Sequence, residues 1–283
     1  MLALALALGA SVAWGGSDFM AGLASRRLPL LAVLVGSQAA GLALLVALLA
    51  VAGEAPPSGD GALIAAAGGL LELLGFAALY KSLALGPMSV VAPISSAAAL
   101  VPVTASVAGG ERPTAVAAIG MGLALAGAAL ACVERGSDES RPARRPAPGA
   151  SLAVVAAVCF GGFFVAMNAA THAAGPAWAV ALNRSTSVCV LLAAVVLMRP
   201  RLGFATPDLA AVGFVGLLDG AANAMFAFAL AEGLASTVSV LGSLYPVTTV
   251  MLAALLLKER VAPLQAAGVT AVIAGIALVS AHP

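Results

Sequence analysis

Residues 68–86 read GGLLELLGFAALYKSLALG, and residues 215–233 read VGLLDGAANAMFAFALAEG. Each is an apolar run that carries an acid within it, Glu72 in the first and Asp219 in the second. The two stretches align at a displacement of 147 (219 − 72), which also sets Gly86 opposite Gly233. Further matches extend the alignment in both directions. Glu111-Arg112, Gly120 and Gly127 recur as Glu259-Arg260, Gly268 and Gly275, each displaced by 148, and WGG at 14–16 faces FGG at 160–162 at 146. A drift of one residue between blocks is what small loop insertions produce. Rare residues matched at fixed spacing indicate an internal repeat rather than two unrelated Ala/Leu-rich stretches.

The chain around these blocks is apolar throughout. Of its 283 residues 62% are hydrophobic and 9% charged, against about 45–50% and 25% in ordinary soluble domains. A soluble fold has too little core to hide that much apolar surface and needs more charge to coat it. A soluble enzyme, a disordered chain and a nucleic-acid binder are therefore excluded, and the bilayer is the expected partner. The net charge of +1 provides no field for a polyanion. Cys132, Cys159 and Cys189 lie in apolar runs without CxxC spacing, and His172 and His282 are the only histidines. Neither a disulfide framework nor a metal site is expected, and no cofactor is called for.

A membrane span needs about 20 mostly apolar residues. Read between charged, Pro and Gly punctuation, the chain offers ten: about 1–22, 29–52, 61–80, 86–109, 114–133, 151–171, 176–198, 208–231, 235–257 and 262–281. The start, MLALALALGASVAWGG, has no basic n-region and reads as the first span rather than a signal peptide. Continuous runs of this length predict helices, not the alternating segments of a barrel. The fold class is thus an all-α membrane protein. Its expected organisation is a five-helix repeat over 1–133, a polar linker over 134–150 (ERGSDESRPARRPAPGA) and a second five-helix repeat over 151–283. Five is odd, so the second copy enters the bilayer from the opposite side. Such inverted repeats characterise secondary transporters, with the substrate site near the midplane.

Trp14-Gly15 near the end of the first span, ALG and AEG before the fourth and ninth, prolines within those spans (Pro93 or Pro102, and Pro246), and the Glu-Arg turns followed by spaced glycines resemble the drug/metabolite transporter superfamily, EamA type. The resemblance covers nearly the whole chain. It implies ten helices built as two EamA repeats, export or exchange of a small metabolite, and both termini inside the cell. One departure is visible: Pro246 precedes Glu259 by 13 residues, whereas Pro102 precedes Glu111 by 9. The bends of the fourth and ninth helices are therefore not expected to mirror one another. The expected location is a bacterial-type inner or plasma membrane.

Counting Lys and Arg by connection gives the opposite orientation. The odd connections hold eleven (Arg26, Arg27, Lys81, Arg135, Arg141, Arg144, Arg145, Arg199, Arg201, Lys258, Arg260), and the even ones hold Arg112. The positive-inside rule then places both termini outside. A C-terminal reporter active on one side of the membrane separates the two orientations.

Charges inside spans cost about 2.5–3.5 kcal/mol each by insertion scales and are functional candidates by default. Glu72, Asp219, Arg184 and Asp18 are such residues, with Trp14, Asn183, Asn223 and Tyr245 as polar or aromatic company. Asn223 follows Asp219 by one helical turn, as Asp18 follows Trp14. Two readings of the set stand together: Arg184 staples helices by pairing with an acid, and the groups line a central cavity. Two mid-span acids against one arginine leave one over, to carry a proton or meet a cationic group. A zwitterion such as an amino acid suits the set, its ammonium on an acid and its carboxylate on the planar fork of Arg184. Asn168, Asn183 and Asn223 also serve as hydrogen-bond glue between helices. Pro93, Pro102 and Pro246 mark the fourth and ninth helices as bending or gating elements. The fifth and tenth, with their small faces, read as packing or dimer elements, in a monomer or homodimer.

Rival classes find little support. No Gly-x-Gly-Asp surrounds Asp219, HExxH is absent, and no catalytic constellation falls in the spans, so an intramembrane enzyme is not expected. A channel or scaffold leaves the inverted repeat unexplained. GxxxxGK[ST] does not occur, so transport is expected to run on a gradient. The expectation is a secondary transporter, and specifically an exporter, of a small polar or amphipathic metabolite.

Overall fold

Apolar runs of Leu, Ala, Val and Gly can satisfy their backbone groups in lipid only by coiling, and helices fill the computed structural model. It describes residues 1–57, 59–110, 112–131, 149–199, 206–258 and 263–281. The linker core, Cys132, Glu111, Arg201, Glu259-Arg260 and His282 lie outside the described residues. In chain order the rods are α1 (Leu2–Ser25), α2 (Leu30–Ala52), α3 (Gly59–Leu85), a broken α4, α5 (Ala115–Ala131), α6 (Ala150–Ala174), α7 (Pro176–Met198), α8 (Thr206–Glu232), a broken α9 and α10 (Pro263–Ala281). Among the described residues, seven helices are long and apolar enough to cross a membrane: α1, α2, α3, α6, α7, α8 and α9 taken end to end.

The two broken rods match. Helix α4 consists of α4a (Met88–Ser95), a 3-10 turn (Ser96–Ala99) and α4b (Leu100–Ala108), and α9 of α9a (Ala235–Gly242) and α9b (Tyr245–Leu256). The first halves begin at Met88 and Ala235 and end at Ser95 and Gly242, both pairs 147 apart. The second halves start at Leu100 and Tyr245, 145 apart, after a four-residue 3-10 turn in α4 and two turn residues in α9, so the bends match in their first halves only. Pro102 and Pro246 fall in the first turns of α4b and α9b, where a missing N–H costs little. They also lie four residues beyond Ala98 and Gly242, at the two breaks, whose carbonyls they cannot bond. Pro93 sits within α4a.

Packing partners also come in pairs. Helix α8 lies on α1 as α3 lies on α6; α2 packs on α8 as α7 packs on α3; α1 touches both halves of α9 as α6 touches both halves of α4. The remaining major contacts join α2 to α7 and α5 to α10. Small residues let these backbones close in. A Cβ on Gly216 would collide with the Ser37 carbonyl oxygen, and one on Gly69 with that of Asn183; 37 and 183 are 146 apart, 69 and 216 are 147. Gly15 abuts the carbonyl of Tyr245 as Gly161 abuts that of Ala98.

The corners repeat with different residues. Helix α2 ends on Gly53 and α7 on Arg199, 146 positions later, both left-handed (φ 63° and 45°). Gly110 (φ 100°) is matched 148 positions later by Lys258 (φ 55°). Only glycine adopts this conformation without a Cβ clash. Arg199→Gly is therefore expected to raise stability by about 1 kcal/mol, read as a higher midpoint in thermal unfolding followed by size-exclusion of the detergent-solubilised protein. An unchanged or lower midpoint contradicts strain at this corner.

Burial is inverted relative to a soluble protein. Val51, Leu63, Val196, Leu197 and Leu255 are exposed, while Asp18, Gln38, Glu72, Asn183, Arg184, Asp219 and Asn223 are all buried. Beyond the spans, Glu54 between α2 and α3 accepts hydrogen bonds from the Ala177 and Trp178 amides at 3.3 and 3.4 Å. This carboxylate seals the N-terminus of α7, where the helix dipole favours negative charge.

Candidate functional site

Arg184, fully buried on α7, collects partners from three other helices. Its Nη2 lies 2.6 Å from Asp219 Oδ2 on α8 and 3.4 Å from Glu72 Oε1 on α3. Its Nη1 donates to Gln38 Oε1 on α2, and its guanidinium carbon stands 6.0 Å from the centre of the Phe76 ring. Gln38 and Arg184 are themselves 146 apart, so corresponding positions of the two halves touch. Ionised groups taken from water persist only when paired and hydrogen-bonded, and Asp219 is held from several sides. Trp14 Nε1 donates to its Oδ1 at 3.1 Å, and Asn223 Nδ2 donates to the same oxygen at 3.2 Å. Glu72 is less satisfied: its Oε2 is buried without a hydrogen-bond partner among the described residues.

A cavity adjoins this cluster. It is lined by Trp14 and Asp18 from α1, Glu72 and Phe76 from α3, Phe160, Phe163 and Phe164 from α6, and Tyr245 from α9b. Both halves of the chain thus contribute, and unequally. Trp14 and Asp18 correspond at 146 to Phe160 and Phe164, so α1 offers polar groups where α6 offers rings. The ring of Trp14 packs 5.9 Å from Phe164 and 5.2 Å from Phe226. The room inside it is about 20 Å³, space for roughly one water.

The breaks of α4 and α9 meet at the cavity wall. Tyr245 Oη donates to Ser95 Oγ at 2.6 Å, joining the first residue of α9b to the last of α4a. Thr249, one turn further along α9b, donates to the Gly15 carbonyl at 3.0 Å.

The structure brings Trp14, Asp18, Glu72, Asp219, Asn223, Arg184 and Tyr245 together at one level of the bundle. Asn183 is buried but lies against Gly68 and Gly69 at the α3–α7 crossing, away from the cavity lining. Pro102, Asn168 and His172 line a wider cleft of about 470 Å³ at the end of the bundle where α4b, α6 and α8 finish. His172 also borders a second, of about 510 Å³, with Glu232 and Thr237. The sequence reading passed over Gln38, Phe76, Phe164 and Ser95. A lone glutamine inside the apolar run 30–52 was a signal for the first; nothing in the sequence distinguished the others from packing residues.

The family model of EamA-like transporters matches residues 1–133 and 147–281. No curated protein matches the chain. A protein of known crystal structure is similar at a TM-score of 0.76 and 18% identity, over 99% of this chain and 96% of that one, which establishes a shared fold. The paired helical architecture and the double family match lead to one assignment: the chain belongs to the EamA-like transporter family, within the drug/metabolite transporter superfamily, and is a multi-pass integral membrane transporter.

Proposed function

We propose that the chain is a secondary carrier that works by alternating access around the cavity between its halves, moving a small polar or amphipathic metabolite outward across a bacterial-type plasma membrane. The observation that carries this reading is the cavity itself. It is small, walled by helices of both halves, bordered by the breaks of α4 and α9, and set beside an ion cluster in an otherwise apolar bundle.

The two halves, 1–133 and 151–283, are read as inverted repeats joined by the 134–150 linker. Helix direction supports this. Along α1 and α8, Ser17 meets Val215, Trp14 meets Asp219 and Gly9 meets Met225, so the two run antiparallel. The short connections at 26–29 and 53–58 make α1 and α3 run the same way. Helices α3 and α8, which correspond in sequence, therefore point in opposite directions. One fold inserted both ways gives two conformers of similar energy, each open to one side, as alternating access requires.

The test is counterflow in proteoliposomes preloaded with unlabelled amino acids or aromatic amines and challenged with the labelled compounds. A carrier shows uptake accelerated by substrate on the far side. Glu72→Gln and Asp219→Asn are each expected to slow this exchange at least about tenfold, the size of effect for removing a charged partner from a buried site. Wild-type rates in both variants over pH 5–8 would remove the cluster from the mechanism, and uptake without trans-acceleration would replace the carrier by a channel.

A further inference from the structure

We infer that the central cavity is a site for organic monocations with an aromatic or apolar body, and that it discriminates against zwitterions and carboxylates. The inference rests on the carrier reading for the site's role in transport, while its claim about binding stands on the geometry of the cavity.

A zwitterion needs a free cationic group for its carboxylate. Arg184, the cation buried at this level, is committed. Both of its terminal nitrogens are engaged, by Asp219, Glu72 and Gln38. Its remaining Nε has no hydrogen-bond partner among the described residues but lies beside Gly41 of α2, and Arg184 is absent from the cavity lining. To bind a carboxylate it would have to abandon Asp219 at 2.6 Å, leaving that acid buried and unpaired, a large penalty.

What the cavity does present is acidic side chains. Asp18 is 3% exposed, lines the cavity, and belongs to neither ion pair of Arg184. Glu72 lines the same space, and its Oε2 has no hydrogen-bond partner among the described residues. Three acids around one guanidinium favour a positive guest over a negative one. The rest of the wall is aromatic: Trp14, Phe76, Phe160, Phe163, Phe164 and Tyr245. Ring faces attract cations and ring edges pack apolar bodies. An ammonium directed to Asp18 and Glu72, its carbon skeleton among the phenylalanines, satisfies both features. A room of about 20 Å³ must widen to admit it. Hinging at the breaks beside Ser95 and Tyr245 supplies that motion.

Three probes sharing a phenyl ring separate the charge states: phenethylamine (ammonium only), phenylalanine (ammonium and carboxylate) and phenylacetate (carboxylate only). Binding of labelled phenethylamine to the purified full-length chain in detergent is measured by scintillation proximity, with each unlabelled compound as competitor. Phenethylamine is expected to bind, phenylalanine to compete at least about tenfold less well, and phenylacetate not to compete, because a carboxylate finds no free cation beside the cavity. Asp18→Asn is expected to weaken phenethylamine binding by about tenfold or more, with the wild-type competition order carrying the test if that variant fails to fold. Phenylalanine competing as well as phenethylamine, or no phenethylamine binding, overturns the inference. The carrier reading is judged separately by counterflow. Phenethylamine that binds without being exchanged refutes transport and spares the site, whereas phenylalanine exchanged without phenethylamine binding does the reverse.

Discussion

Arg184→Met is expected to destabilise the protein by about 3–5 kcal/mol, the cost of breaking a buried ion pair from one side. The side chain is fully buried, and removing its charge leaves Asp219 and Glu72 facing each other in a bundle with no bulk water to screen them. Gln38 and the Phe76 ring lose their partner at the same stroke. The control is Arg184→Met combined with Glu72→Gln and Asp219→Asn, which removes the orphaned charges. Neutral isosteres of buried ion clusters are often tolerated, so the triple variant should recover most of the lost thermal stability even though it cannot transport. If the single variant melts with wild type, or the triple variant is no better than the single, the cluster does not hold the four helices together.

The second large effect belongs to the helix crossings. Gly216→Ala places a methyl against the Ser37 carbonyl oxygen, and Gly69→Ala places one against that of Asn183. A backbone atom cannot rotate away, so the helices must part. Overpacking of this kind costs about 1–3 kcal/mol, and both variants are expected near the top of that range. Gly213→Ala, on the same helix as Gly216 but with nothing within 4 Å of the added carbon, should be neutral or slightly stabilising through better helix propensity. Thermal midpoints of the three variants in detergent decide the matter. A Gly216→Ala protein as stable as Gly213→Ala would show that α2 and α8 do not cross at this point.

Much of the architecture could be read from the residues because lipid imposes a single constraint on every span. The run at 176–198 is bounded by Gly175-Pro176 and Arg199, and the helix occupies the same residues. Offsets of 146–148 already paired Glu72 with Asp219 and located two equivalent halves. The prolines already marked α4 and α9 as bent, and the breaks fall four residues before Pro102 and Pro246; what no spacing encodes is that the two breaks touch, through Tyr245 on Ser95. The cluster was half legible. Charges stand out in an apolar chain, so Arg184 and its acids were evident, yet whether the guanidinium faces the cavity depends on side-chain geometry that no spacing encodes.

The contact between Gln38 and Arg184 has a consequence for the halves as separate pieces. These residues occupy the same position in each copy and meet each other, so two copies of the first half would set amide against amide, and two copies of the second would set guanidinium against guanidinium. Neither assembly reproduces the mixed centre seen here: the former holds Glu72 with no counterion, the latter sets two Arg184–Asp219 pairs against each other without the Gln38 acceptor. Two different sequences are what let one partner stay neutral while the other bears the charge, so neither module paired with its own copy supplies this centre.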